Sequence, residues 1–189
     1  MAKLDAIEHA RLSQAAEAVR ATTSARFELL IVPVSDRYAL YPVAYGAFAA
    51  LIAGGLLAVR PGLSLDDAFA IEAVVFVLAS LALEWPPLKL LLVPRRLKHE
   101  RARQFAHRAF AARILAAHER RLGMVVFASL GERYVELVTD DALDRRIGQD
   151  KWNAIVAEFT ATAKTGRIAD GLENAITACG WHLAQHFPR

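Results

Sequence analysis

The chain has 189 residues, 55% of them hydrophobic, a mean hydropathy of +0.26, a net charge of +3 and a pI near 9.2. Cys179 is the single cysteine, which excludes an intramolecular disulfide and is compatible with a reducing compartment. The positive charge is mild and unevenly spread, so it bears on topology before it bears on nucleic acid, and the apolar excess gathers in two runs in the first half.

Residues 1–20 carry Lys3, Asp5, Glu8, Arg11, Glu17 and Arg20 with no apolar block, so no secretory signal is expected there. Residues 3–22 read as an amphipathic helix with Leu12, Ala15, Ala16 and Val19 on one stripe. Thr22, Thr23 and Ser24 break it. Residues 26–34 are β-rich and predict a strand whose far end Pro33 confines to a sheet edge or to the strand's exit.

The two apolar runs, about 39–59 and 65–85, each approach the roughly 20 residues that cross a bilayer as helix. Ser64 predicts an N-cap, with Asp67 answering it as a capping box that uses Asp in place of Glu. From Leu65 to Trp85 a helix rises about 31 Å, close to a hydrocarbon core of about 30 Å. Pro86-Pro87 ends or kinks it, and Leu88 to Val93 reads as an interfacial continuation with Lys89 snorkelling to headgroups. Gly46, Ala50 and Gly54 recur every four residues, a spacing that lets a second helix approach closely. The second span is the natural neighbour, and a homodimer contact is the rival. Tyr38, Tyr41, Tyr45 and Trp85 fit an aromatic belt at one leaflet. Lys89, Arg95, Arg96, Lys98, Arg101 and Arg103 follow the second span, whereas the joint between the spans sets Arg60 against Asp66 and Asp67. The positive-inside rule then places the joint outside and both termini in the cytoplasm. Glu72 and Glu84 lie near helix ends, where they reach headgroups or water; a proton or ion role is the competing reading.

A basic helix is predicted over about 95–121, with Ala106, Phe110, Ile114 and Ala117 as apolar positions. It suits anionic lipid, a crossover helix packed on a sheet, or both along its length. No aromatic platform or motif accompanies its charge, so no nucleic-acid partner is expected. Residues 124–128 and 134–139 predict strands joined by Ser129-Leu-Gly-Glu-Arg133, with Gly131 taking positive φ. Asp140 should cap a short helix carrying Leu143 and Ile147 and ended by Gly148. Asp150 should cap the next, with Trp152, Ile155, Val156, Phe159 and Ala163 on one face and Gly166 at its end. The last helix presents Ile168, Leu172, Ala175, Ile176, Cys179 and Leu183. A strand at 26–34 is too short to stand alone. The economical arrangement joins it to the 124–139 hairpin. The expected fold is α/β, a small mixed sheet with helices on both faces, interrupted by a two-helix transmembrane hairpin. Its parts are residues 1–36, the hairpin 37–94, and residues 95–189.

Two side-chain sets invite chemistry. Asp140, Asp141, Asp144 and Asp150 could hold a divalent cation, against a reading as helix caps and solvated carboxylates favoured by the helix dipole. Cys179, His182 and His186 share a helical face, a zinc-like set without an evident fourth ligand, and Cys179 also belongs to the apolar stripe. No Gly-rich phosphate loop, Gly-x-Ser-x-Gly or His-Glu-x-x-His motif is present.

The stretch Leu122-Gly-Met-Val-Val-Phe-Ala-Ser-Leu-Gly-Glu-Arg-Tyr-Val-Glu-Leu-Val-Thr-Asp140 resembles the TPM domain, in which a strand, an "ER-x-V" hairpin and a second strand lead into an aspartate and a helix. Ile147-Gly-Gln, Trp152, Gly171-Leu, Ala175-Ile176, Gly180 and His186-Phe187-Pro188 follow suit. The layout is most similar to bacterial membrane proteins of this family in which a helical hairpin interrupts the domain. The resemblance implies an α/β/α sandwich. Family roles diverge, from a thylakoid protein linked to photosystem II repair and acid phosphatase activity to a nematode accessory protein of acetylcholine receptors, so fold alone does not set function. Metal-binding members use clustered aspartates in loops near the sheet's end, and this chain departs from that pattern in lacking glycine-rich acidic loops of the kind a hard cation needs. The expected role is a non-catalytic accessory or scaffolding module for a membrane assembly, whose partners are the bilayer and a membrane protein. A weak metal-dependent acid phosphatase is the alternative. No cofactor is expected beyond a divalent cation at the acidic quartet, and a homo-oligomer is compatible with the sequence.

Overall fold

A computed structural model describes residues 4–116 and 122–189. The chain divides into two compact units, one formed by residues 1–35 with 99–189 and the other by residues 36–98.

The first unit opens with α1 (Ala6–Thr22). Asp5 caps it by accepting from Glu8 N at 2.6 Å, and the Glu8 carboxylate accepts from Asp5 N at 2.8 Å, a reciprocal box. Strand β1 (Arg26–Val32) follows, and after the second unit come β2 (Gly123–Ser129) and β3 (Tyr134–Thr139). The sheet order is β1-β2-β3. β1 runs parallel to β2 in the register Arg26–Gly123 to Val32–Ser129, and β3 is antiparallel to β2. The expected joining of the early strand to the late hairpin is therefore present.

β2 is central and buried along its whole length, which accounts for an unbroken apolar run where an edge strand would alternate. Its odd and even residues serve two cores. Met124, Val126 and Ala128 pack with Leu12, Ala16 and Val19 of α1 and with the helices α6 (Asp141–Ile147), α7 (Gln149–Lys164) and α8 (Ile168–His186). Val125 and Phe127 meet Ala102, Ala106 and Phe110 of α5 (Arg95–Phe110) and Ile114 beyond it. Helices thus cover both faces of a small mixed sheet. α1 and α8 run side by side: Val19 packs on Gly180, and Arg11 reaches Asp170 and Glu173 at 2.5 and 2.7 Å. Thr23 Oγ1 and Ser24 N both donate to Phe187 O, at 2.7 and 2.9 Å, which ties the two ends of the unit together.

Three local expectations change. The hairpin residue with positive φ is Arg133 (φ 52), not Gly131; Gly131 instead donates its N–H to Pro33 O at 2.8 Å, prolonging the β1–β2 pairing. α7 starts from Gly148 (φ 96), so Asp150 lies in its first turn and is no cap. The helix expected over 95–121 is α-helical only to Phe110. Ala111–Leu115 form a π-turn closed by Ala116 N to Ala111 O at 3.0 Å, and Ala117 to Arg121 lie outside the described residues.

The second unit holds α2 (Leu40–Ala58), α3 (Leu65–Leu83) and α4 (Pro86–Leu92). α2 and α3 pack antiparallel, Gly46 facing Ser80 and Gly54 facing the Glu72 carboxylate. The joint is capped by Ser64, which accepts from Asp67 N at 3.1 Å. The Asp67 carboxylate answers to the Ser64 hydroxyl at 2.7 Å and not to its backbone, so the pair is a variant of the expected box. The helix expected to reach Trp85 ends at Leu83. α4 leaves α3 at a bend of 98°, because Trp85 takes the extended conformation that precedes proline and Pro86-Pro87 offer no N–H to continue the ladder. Among the described residues α2 is the one helix long and apolar enough to cross a membrane alone, and α3 with α4 meets that standard only as a bent pair.

Candidate functional site

The acidic residues near the sheet gather at its two ends, and their geometry decides what each can do. Asp140 sits where β3 runs into α6, 8% exposed. One carboxylate oxygen accepts from Ala142 N (2.7 Å) and Leu143 N (2.9 Å), capping α6; the other accepts from Gly123 N (2.5 Å) at the start of β2. Gly123 N–H can approach because a Cβ there would stand 2.9 Å from Arg26 O and 2.8 Å from Ile114 Cγ2. All three bonds come from backbone, so this carboxylate splices β2, β3 and α6. Asp144 accepts from Thr139 Oγ1. Asp141 and Asp150 are exposed on the first turns of α6 and α7. Among the described residues no three His, Cys, Asp or Glu side chains converge as a metal-holding group.

At the opposite end lies a residue that the sequence did not single out. Glu132, in the β2–β3 turn and 4% exposed, accepts from Ser35 N (2.9 Å), Ser35 Oγ (2.8 Å) and Ser129 Oγ. It belongs to the Glu-Arg-x-Val segment of the hairpin. Ser35 closes the N-terminal part of the unit, so this carboxylate joins the exit of β1 to the turn that follows β2.

A third cluster spans α5 and β3. Glu136 accepts from Tyr134 OH at 3.0 Å and faces His107 Nε2 at 3.2 Å and Arg103 Nε at 3.8 Å, while the His99 ring lies 5.4 Å from that of Tyr134. Burial, reinforced by the Glu136 charge, pushes the Tyr134 hydroxyl up, so it remains a donor to that carboxylate. The spacing held this signal: His99, Arg103 and His107 recur every four residues on a helix, and Tyr134 and Glu136 share one strand face.

The C-terminal set separates. Cys179 is fully buried in the main core, and burial pushes its thiol up to about 12, the behaviour of a small apolar filler. His182 packs edge-on to Trp152 and Trp181, its imidazole held below the ordinary value by burial and then by Lys151 and His186. Cys179 and the two histidines thus do not form a common ligand set.

In the second unit, Gly46, Ala50 and Gly54 line the α2 face toward α3, Ala50 being buried. Glu84 pairs with Lys89 at 2.5 Å. Lys89 also donates to Arg37 O at 3.1 Å, so its ammonium is held within the unit and does not extend outward.

An α/β/α unit built on a three-stranded mixed sheet, with its hairpin and capped turns held by buried carboxylates, defines the class. Residues 88–180 carry a TPM domain. The matched stretch holds α5, β2, β3, α6 and α7, whereas β1, the strand that completes the sheet, lies ahead of it. No curated protein matches the chain.

Proposed function

We propose that this chain is a membrane-anchored TPM-domain protein of the bacterial cytoplasmic membrane, its domain on the cytosolic side, serving a membrane assembly as a non-catalytic accessory or scaffolding module. The observation that carries the reading is the use of the buried acids: Asp140 and Glu132 hold backbone amides and serine hydroxyls of their own fold. A carboxylate occupied by such donors has few lone pairs left for a cation. The anchoring is supported by the outward faces of α2 and α3, where Phe48, Leu51, Leu56, Phe69, Val74, Leu78 and Leu81 are exposed. An apolar shell of that extent is costly in water and costs nothing in hydrocarbon.

The test has two arms. Membranes bearing the full chain are washed at alkaline pH and treated with protease from outside the cell; retention in the membrane with both termini intact is expected. The purified chain is assayed on phosphomonoesters with Mg²⁺, Mn²⁺ and Ca²⁺. Metal-dependent turnover that Asp141→Asn with Asp144→Asn abolishes would replace the accessory reading with the phosphatase one.

A further inference from the structure

The bend at Trp85 changes what α4 can do. A helix turned 98° from α3 lies across the direction of the span. Its two long faces differ. Leu90 is buried and Lys89 is tethered to Glu84 and Arg37 O, whereas Pro87, Leu88 and Leu91 are exposed, Leu91 at 80%. Leu88 and Leu91 stand three residues apart on one ridge, and Trp85 is exposed at the corner just before it. The exposed apolar surface of α3 therefore continues through Trp85 onto α4 without a polar break other than Glu84, whose charge Lys89 meets. Directly after α4, Arg95 and Arg96 are both exposed. An apolar ridge followed at once by paired guanidinium groups is the pattern that fits the boundary between acyl chains and anionic headgroups.

We infer that α4 is a foot lying flat in the membrane interface, Leu88 and Leu91 set into the acyl boundary and Arg95 and Arg96 engaging the phosphates of anionic phospholipid. This rests on the membrane reading proposed above and adds to it a lipid class and a depth. Two guanidinium groups favour anionic lipid by their charge and by bidentate hydrogen bonding to phosphate.

The experiment uses the full chain in phosphatidylglycerol nanodiscs, spin-labelled at Leu88→Cys, Leu91→Cys or Val74→Cys. Cys179 is buried with its thiol pushed up, so it does not compete for the label. Collision with oxygen and with a polar nickel reagent reports depth. The expected result places labels 88 and 91 at one shallow depth, about 5–10 Å below the headgroups, and label 74 deeper. Arg95→Gln with Arg96→Gln, or a change to phosphatidylcholine, is expected to lower oxygen collision at label 91 at least about twofold, since each basic residue supplies a share of the surface attraction. A difference of about 4.5 Å between labels 88 and 91, as in a helix continuing the span, overturns the foot. So does an aqueous label 91, or a label 91 indifferent to both charge changes. An aqueous label 74 instead overturns the membrane reading itself.

Discussion

Replacing Asp140 by alanine separates a structural carboxylate from a metal ligand. The substitution leaves Ala142 N and Leu143 N without their cap and strands Gly123 N in a buried position. Loss of an N-cap costs about 0.5–2 kcal/mol, and loss of a buried bond to a charged acceptor about 1.5–3 kcal/mol. Because the bonds share one carboxylate they do not add fully, and the expected loss is about 2–4 kcal/mol. With a urea slope of about 2 kcal/mol per molar for a unit of this size, the midpoint should fall by about 1–2 M. Trp152 is buried in the core while Trp85 and Trp181 are exposed, so the emission shift on unfolding reports chiefly this unit. Asp140→Asn keeps an acceptor oxygen for the cap and should lose about half as much. The loss should be the same in chelator and in millimolar divalent cation. A ligand role predicts otherwise: cation at 100 times its Kd would stabilise the wild type by about 2.7 kcal/mol and the variant by nothing. A cation-dependent difference, or a loss below about 0.5 kcal/mol, refutes the structural argument.

Glu132→Ala removes the acceptor of Ser35 N, Ser35 Oγ and Ser129 Oγ. It should cost about 2–4 kcal/mol and speed exchange of the Ser35 amide, while Glu132→Gln should cost clearly less. In the hairpin, Gly46→Leu should lower the stability of the helix pair by about 1–3 kcal/mol in detergent unfolding, because its Cβ meets Ser80. Gly55→Leu, which meets open space, should stay within about 0.5 kcal/mol or gain slightly; equal losses at both sites would refute the packing account. For His182 the folded chain resists a proton that the unfolded chain accepts, so its contribution is present above pH 6.5 and is lost as pH falls below it. The slope is at most about 1.4 kcal/mol per pH unit for one proton. His182→Gln should flatten that part of the stability profile, and parallel profiles for the two proteins would contradict the assignment.

Much of the fold was legible because its signals are local. The apolar stripe of α1, the glycine stops at Gly148 and Gly166 and the Asp140 cap each lie within a few residues of what they control. The joining of the early strand to the late hairpin was legible because a lone strand cannot bury itself, whereas its parallel pairing with β2 was not. The misses were of two kinds. Turn details depended on tertiary context: Gly131 is committed to Pro33 O, and the left-handed conformation falls on Arg133. The π-turn after Phe110 has no local sequence rule at all. The site residue that escaped notice, Glu132, finds its partner Ser35 at a separation of 97 positions, which no periodicity can reveal.

The same separation bears on how β1 and β2 pair although residues 36–98 form a compact unit of their own between them. Closing a longer loop costs little, about 0.6 kcal/mol per doubling of its length, and less if the inserted segment folds as its own unit and shortens the effective loop. What an insertion threatens is register, because β1 pairs with β2 along one edge only and a parallel pair has no tight turn to fix it. The register is set instead at both ends. Arg26 N bonds to Leu122 O at the start. At the finish, Leu130 N and Gly131 N bond to Val32 O and Pro33 O, and Glu132 fastens Ser35. A two-residue slip would keep the apolar faces correct and yet break every one of these end contacts. The hairpin turn, more than the strands themselves, therefore selects the native alignment, and a Gly131→Pro substitution, which deletes a single N–H from that clamp, should loosen β1 exchange before it lowers global stability.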